Sequence, residues 1–252
     1  MALVLFDCDG VLVNTEDLLA DVSRQTLSAY GLIYTPQHYE DRFLGASMDG
    51  FRALVHEDCM AITGQPAPES VFTDIMARYT AAEATHITAI AGVPDLVAAL
   101  VSSQVPFAVA SNGMRVNIER KLQLVGLYDF FAGHIFSRED VKNGKPAPDV
   151  YLHAMTVMGE TDPKRCLVIE DSPLGVTAGH AAGMYVLAYA GGCHSGPRYE
   201  QQLAAAGASF IGKNMAAVAF EAFDQIDEIK FGPGGRNAAL RVVRKAKGPA
   251  PT

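Results

Sequence analysis

LVLFDCDGVLV, residues 3–13, is the stretch that decides the fold. Four apolar residues, Leu3 to Phe6, run into two carboxylates two positions apart, Asp7 and Asp9, and then into Gly10. A short apolar run closed by a turn residue has the pattern of a buried strand. Alternate residues of an extended chain point the same way, so both carboxylates can face one site. The carboxyl ends of parallel strands are where open α/β folds place their chemistry. Two neighbouring carboxylates repel each other unless a cation or a shared proton compensates. The plain structural alternative is a strand end that carries acids ahead of a turn, and this stretch alone leaves it open.

Outward from this stretch, apolar runs recur as FAVAS near 109, HIF near 135, CLVIE near 168, MYVLAY near 187 and SFI near 210. Helical patterns separate most of them, over Val116 to Val125, Asp149 to Met158 and Gly175 to Ala182. Alternation of this kind predicts an α/β fold with a doubly wound parallel sheet. The gap between the first two strands breaks the rhythm. Residues 14–88 show apolar positions at three- and four-residue spacing, such as Leu18, Val22 and Leu27, or Phe51, Leu54 and Val55. That length exceeds an ordinary crossover. It predicts a small helical cap inserted after the catalytic turn, able to close over the strand ends and exclude water. The expected division is a core of 1–13 and 89–223, a cap of 14–88, and a tail of 224–252.

Three further strand ends carry candidate chemistry. VASNG ends the second strand with Ser111, Asn112 and Gly113, and a helix is expected from about Met114. A small hydroxyl and free amides at a helix N-terminus suit phosphate, although an N-cap explains the same residues. In NGKPAPDVY, Lys145 precedes a proline-containing helix start. In LVIEDSPLGV, Glu170 and Asp171 follow an apolar strand. Paired acids there suit a hard cation that takes oxygen ligands, or simply the positive end of the next helix. Independent coincidences at four successive strand ends, in one order, are improbable.

Composition narrows the function classes. The chain has 252 residues, 49% of them hydrophobic, and a net charge of −8. That balance argues against nucleic acid as the main partner. No run approaches the ~18 apolar residues of a membrane span, and the N-terminus shows no signal-peptide pattern; a cytoplasmic location is expected. The four cysteines, Cys8, Cys59, Cys166 and Cys193, lack metal-type spacing and are expected to be reduced. Six Lys or Arg and no acid fall from Lys230 onward, which leaves −14 on the rest of the chain. A solvated basic tail is the favoured reading of that end.

The four motifs together, DCDGV at 7–11, SNG at 111–113, Lys145 in GKPAPD and EDS at 170–172, resemble those of the haloacid dehalogenase superfamily. The branch it resembles carries a helical cap after the first motif and includes sugar-phosphate phosphatases and β-phosphoglucomutase. The resemblance covers residues 1 to about 223 and implies a Rossmann-like core. It implies Asp7 as the nucleophile that forms an aspartyl-phosphate and Asp9 as general acid and then base. It implies Mg²⁺ held by the Asp7 carboxylate, the Asp9 backbone carbonyl and Asp171, with Glu170 acting directly or through water. Ser111, Lys145 and the amide of Asn112 would hold the phosphoryl oxygens, with Lys145 as a point charge.

The same resemblance sorts the branches. Dehalogenases lack an acid at the position of Asp9, so its presence favours phosphoryl transfer. Phosphonoacetaldehyde hydrolases need a cap lysine, and Asn14 to Phe107 contains none. β-Phosphoglucomutase holds a second phosphate with a cap-loop arginine; the matching loop, FLGASMDGF at 43–51, places Met48 there, and Leu19 stands near that enzyme's cap histidine. The expectation is therefore a Mg²⁺-dependent phosphatase of small phosphorylated metabolites, sugar or sugar-acid phosphates, acting as a monomer. A sugar phosphomutase that uses Arg42 or Arg52 instead is the alternative. Asn14, Glu16, Ser47, Arg115 and Asn143 are the candidate polar contacts to substrate.

Overall fold

Strands buried on both faces read as continuous apolar runs, and the six runs of this chain become the six strands of one sheet. The computed structural model describes residues 2–43, 46, 48–191 and 195–232. Its strands are β1 (Leu3–Phe6), β2 (Phe107–Ala110), β3 (Ile135–Phe136), β4 (Cys166–Glu170), β5 (Tyr185–Tyr189) and β6 (Phe210–Gly212). All pairings are parallel, in the order β3-β2-β1-β4-β5-β6. The chain moves from β1 out to β2 and β3, then returns to lay β4 on the other side of β1. The strand order reverses there, and a reversal opens a crevice at the carboxyl ends of the strands.

Four helices, α1 (Thr15–Ala29), α2 (Pro36–Phe43), α3 (Met48–Thr63) and α4 (Glu69–His86), precede α5 (Val93–Ser102) and β2. The later crossovers carry α6 (Arg115–Leu124), the single turn α7 (Tyr128–Phe131), α8 (Asp149–Val157), α9 (Pro173–Ala181) and α10 (Pro197–Ala205), and α11 (Met215–Phe231) follows β6. Strand alternation divides β1 between two apolar layers. Val4 and Phe6 pack with Val97 and Leu100 of α5, Ile118 of α6, Phe131 and Val218 of α11. Leu3 and Leu5 pack with Val150 and Ala154 of α8, Val176 of α9 and Leu203 of α10. Phe6 meets Phe131 edge to face with ring centroids 5.8 Å apart. Burying one such side chain contributes about 1.5–3 kcal/mol, so the strand that carries Asp7 is held rigidly from both sides.

Helices α1–α4 have an apolar centre of their own, formed by Leu27, Tyr39, Phe43, Val55, Val71, Phe72 and Ile75. The chain leaves the sheet and returns to it along adjacent paths. Asn14 N donates to Thr88 O at 2.9 Å, and Ile90 N donates to Leu12 O at 3.1 Å. At the other end, α11 runs to Phe231 and stops at Gly232, whose φ of 80° ends the helix. The structured chain thus passes the expected tail boundary at 224, because Ala222 and Ile226 continue the buried face of α11. The tail from 233 onward and Cys193 lie outside the described residues. Cys8, Cys59 and Cys166 are buried free thiols. Among the described residues no helix is long and apolar enough to cross a membrane.

Candidate active site

Asp7 follows the last residue of β1 but is still stitched to the sheet, since its N–H donates to Ile169 O at 2.9 Å. The turn after it closes through Gly10 N to Val13 O at 2.9 Å and Leu12 N to Cys8 O at 2.9 Å. Gly10 has a φ of 75°, and a Cβ there would stand 1.9 Å from Asp171 Oδ2. Glycine is required on both counts, because L side chains avoid positive φ and the β4 carboxylate fills the space.

Lys145 ties the strand ends together. Its Nζ donates to Asp7 Oδ1 at 2.7 Å and to Glu170 Oε1 at 2.7 Å, and it lies 4.7 Å from the ring centre of Tyr151. Asn112 holds the Lys145 backbone from both sides: its Oδ1 accepts Lys145 N at 2.8 Å, and its Nδ2 donates to Lys145 O at 3.1 Å. Glu170 is fully buried and accepts five hydrogen bonds. Oε1 takes Lys145 and the Tyr151 hydroxyl, while Oε2 takes the N–H groups of Asp171 and Ser172 and the Ser172 hydroxyl. A Cβ on Gly175 would come within 1.6 Å of Glu170 Oε1. The carboxylate is walled in, as a buried charge must be to avoid a large desolvation cost.

A ligand oxygen from each of Asp7, Glu170 and Asp171 lies within 4.8 Å of the others. Burial raises the Asp7 carboxyl from its ordinary range to about 7; Lys145 opposes this, and Glu170 and Asp9 add to it. Burial, then Glu170 and Asp7, push Asp171 well above the carboxylate range. No described residue donates a hydrogen bond to the Asp171 carboxylate. Burial works against the Lys145 ammonium, but Asp7 and Glu170 outweigh it and keep it protonated. Buried acids raised by one another form an oxygen donor set that fits a hard divalent cation. Asp7 and Asp171 have oxygens that accept no hydrogen bond from a described residue, whereas both Glu170 oxygens accept several. Glu170 also pairs with Lys145, a contact that its place beside Asp171 in the sequence does not reveal.

The site opens into a cavity of about 740 Å³ lined by Asp7, Asp9, Ser111, Lys145, Asp171 and Glu16, among others. Ser111 Oγ accepts Gly113 N at 3.2 Å, which leaves its own proton to donate. Asn112 and Gly113 line the same wall. Glu16 faces this cavity from α1, and burial followed by the Asp9 charge raises its carboxyl.

The other candidate substrate contacts are not brought together here. Asn14 lines a separate concavity with Asp17, Arg24 and Tyr39. The Arg115 guanidinium turns to Asp140 Oδ2 at 2.6 Å and to the Ile135 carbonyl. Asn143 sits on an exposed loop and donates twice to Asp149 Oδ2. Ser47 lies outside the described residues.

Several residues with a part in the site left no mark in the sequence. Tyr151 donates to Glu170 at 3.0 Å and Tyr199 to the Asp171 carbonyl at 2.8 Å. Lys121 of α6 pairs with the Asp9 carboxylate across 112 positions of sequence. A motif spans a few neighbouring residues, and these partners arrive from other helices.

The chain matches the family described as haloacid dehalogenase-like hydrolase over residues 4–189. It is 33% identical over 185 residues to a bifunctional riboflavin kinase/FMN phosphatase of Arabidopsis thaliana, covering 73% of this chain and 47% of that protein. It thus spans about half of that relative. It is 26% identical over 194 residues to the 6-phosphogluconate phosphatase of Escherichia coli K12, covering 77% of this chain and 85% of the relative. A HAD family hydrolase from Deinococcus radiodurans R1, solved with bound phosphate and sodium, superposes with a TM-score of 0.75 at 33% identity, covering 88% of this chain and 96% of that one.

Proposed function

The chain belongs to the haloacid dehalogenase-like hydrolases, and from that premise we propose that it is a Mg²⁺-dependent phosphatase of small phosphorylated metabolites, sugar or sugar-acid phosphates among them. The observation that carries this reading is the Asp7–Lys145–Glu170 chain of contacts beside the open carboxylate of Asp171, at the floor of a cavity. The phosphatase relatives and the phosphate held by the Deinococcus structure support it.

In this reading an Asp7 oxygen attacks phosphorus and forms an aspartyl-phosphate as the leaving oxygen departs. Asp9 gives that oxygen a proton, then takes one from the water that cleaves the intermediate. Lys145 has three donors; Asp7 and Glu170 engage two, and the third is left for a phosphoryl oxygen. The Ser111 hydroxyl and the Asn112 main-chain N–H hold the others. Asp7, Asp171 and the Asp9 carbonyl would hold Mg²⁺, with Glu170 acting directly or through water, and the cation would supply positive charge to offset repulsion between Asp7 and the phosphate. Residues 14–88 act as the cap over a core of 1–13 and 89–223, and the enzyme works as a cytoplasmic monomer on a diffusible substrate.

The arginines that a mutase would recruit are committed within the cap. Arg42 donates to Asp58 and Glu57, and Arg52 pairs with Glu69 and stacks 4.1 Å above Phe72. That supports phosphate release over phosphate migration. The test is phosphate release from a panel of hexose, pentose, sugar-acid, polyol and nucleoside monophosphates, phosphoglycolate and β-glucose 1-phosphate, with Mg²⁺ and with EDTA. Release that needs Mg²⁺ and falls on the order of 10⁴-fold in Asp7→Asn is the expected result. Undiminished release by Asp7→Asn overturns the reading, and consumption of β-glucose 1-phosphate with its phosphate retained replaces it with the mutase.

A further inference from the structure

We infer that Lys121 is a positioning residue for Asp9, and that Glu83 ties that position to the inserted helices. The inference rests on the phosphatase reading and extends it to a residue outside the cavity. Asp9 lines the cavity and Lys121 does not. Lys121 reaches Asp9 from behind: its ammonium pairs with Asp9 Oδ1, and its side chain is 13% exposed against 30% for Asp9. On the far side of Lys121 stands Glu83 of α4, with Oε1 3.9 Å from Nζ. Glu83 is only 2% exposed, and it also accepts Arg120 and the Tyr79 hydroxyl, the latter at 3.1 Å. Three segments meet in this row of alternating charge: the catalytic turn, core helix α6 and the last turn of α4.

The physical need is plain. Asp9 sits two residues from Asp7, and both are acids, so an unrestrained Asp9 carboxylate would swing away from its neighbour toward solvent. Proton transfer to a leaving oxygen requires the donor within hydrogen-bond reach. A cation fixed behind Asp9 sets the direction of its oxygens without occupying the cavity. The second anion on that cation belongs to α4, which returns to the core at the paired segments around Leu12 and Ile90. A shift of α4 against α6 would therefore change the hold on Asp9, and the position of the inserted helices becomes an input to proton transfer.

The leaving group separates this role from a structural one. An alkyl phosphate must have its leaving oxygen protonated, whereas p-nitrophenolate departs without a proton. In Lys121→Met, kcat on the best alkyl phosphate of the panel should fall about 10- to 100-fold. KM on that substrate, and the first-turnover release of p-nitrophenolate that forms the aspartyl-phosphate, should stay within about threefold; later turnovers need Asp9 as base and are not the control. Asp9→Asn should lose more of the alkyl phosphate rate, Glu83→Gln less, and Lys121→Arg should recover most of it. Glu83 keeps Arg120 and Tyr79 in Lys121→Met, so the fold should survive, and first-turnover p-nitrophenolate release reports on it directly. An equal loss in alkyl phosphate turnover and in first-turnover p-nitrophenolate release, a loss confined to KM, or an unchanged or faster alkyl phosphate rate overturns the inference. A wild-type protein that releases phosphate from neither substrate overturns the phosphatase reading itself and this inference with it; release from p-nitrophenyl phosphate alone leaves a phosphatase without the proposed substrates and overturns the acid role of Asp9.

Discussion

The floor of the cavity and the helices inserted above it use the same residue types in opposite ways. At the floor, Lys145, Asp7 and Glu170 have almost no contact with water, and each oxygen of Glu170 has its donors. In the inserted helices, Arg52 pairs with Glu69 at side-chain exposures of 33% and 71%, and Arg42 pairs with Glu57 at 32% and 68%. Buried charges are costly unless paired and hydrogen-bonded, and breaking such a pair is strongly destabilising. Exposed pairs contribute about 0–1 kcal/mol. The contrast teaches where the chain can change: the floor is over-determined, and the exposed face of the inserted helices can be altered at little cost in stability.

Lys145→Met is the hardest test of that contrast. It leaves Asp7 and Glu170 facing each other without a cation. Stability should fall by about 3–5 kcal/mol in denaturant titrations, and kcat by at least about 100-fold. A variant as stable as the wild type would show that the floor is no more constrained than the surface.

Mg²⁺ should give the next largest effect. At about 100 times its Kd, a ligand of the native state adds about 2.7 kcal/mol, and Asp171→Asn should lose most of that gain in a thermal melt. The sign with pH follows from Asp7. Its folded pKa of about 7 lies above its ordinary 3.8, so in metal-free protein its contribution to stability is present at low pH and lost as pH rises through about 7. Added Mg²⁺ should then stabilise more at pH 8 than at pH 6. A gain that is the same at both, or that persists in Asp171→Asn, would detach the cation from these carboxylates.

The smallest effect belongs to the inserted helices. Arg52→Met should cost about 1 kcal/mol or less and leave kcat for phosphate release within about twofold. If the variant instead lost an isomerase activity that the wild type possessed, the cap arginine would be functional and the mutase reading would return.

The four strand ends were legible because each is a local statement. An apolar run of four or five residues followed by Asp, Ser or Glu names a strand and what it carries, and β1, β2 and β4 begin and end close to where those runs do. The helical nature of 14–88 was legible for the same reason, through its periodicity. The polar contacts proposed at single positions fared differently. Arg115 looked like a substrate ligand beside the SNG motif, yet its guanidinium is engaged by Asp140. Asn143 was a candidate contact to substrate and instead donates to the Asp149 carboxylate. A long or loop-borne side chain takes the nearest good partner, and sequence does not say which partner is near. Glu170 shows both cases: three of its five donors are on its neighbours Asp171 and Ser172, while Lys145 and Tyr151 reach it from a loop and from α8.

The sequence alone settled the strand order's raw material, the acids, hydroxyl and lysine at the strand ends, and the place of the helical insertion, because these depend on periodicity and on neighbours within a few residues. Tertiary structure alone decided which charges share a site. It set Lys145 between Asp7 and Glu170, Gly10 against Asp171, and Lys121 behind Asp9. Coulomb and hydrogen-bond terms act over a few ångströms of space, and residues 25, 112 and 138 positions apart reach that distance only once the sheet has closed.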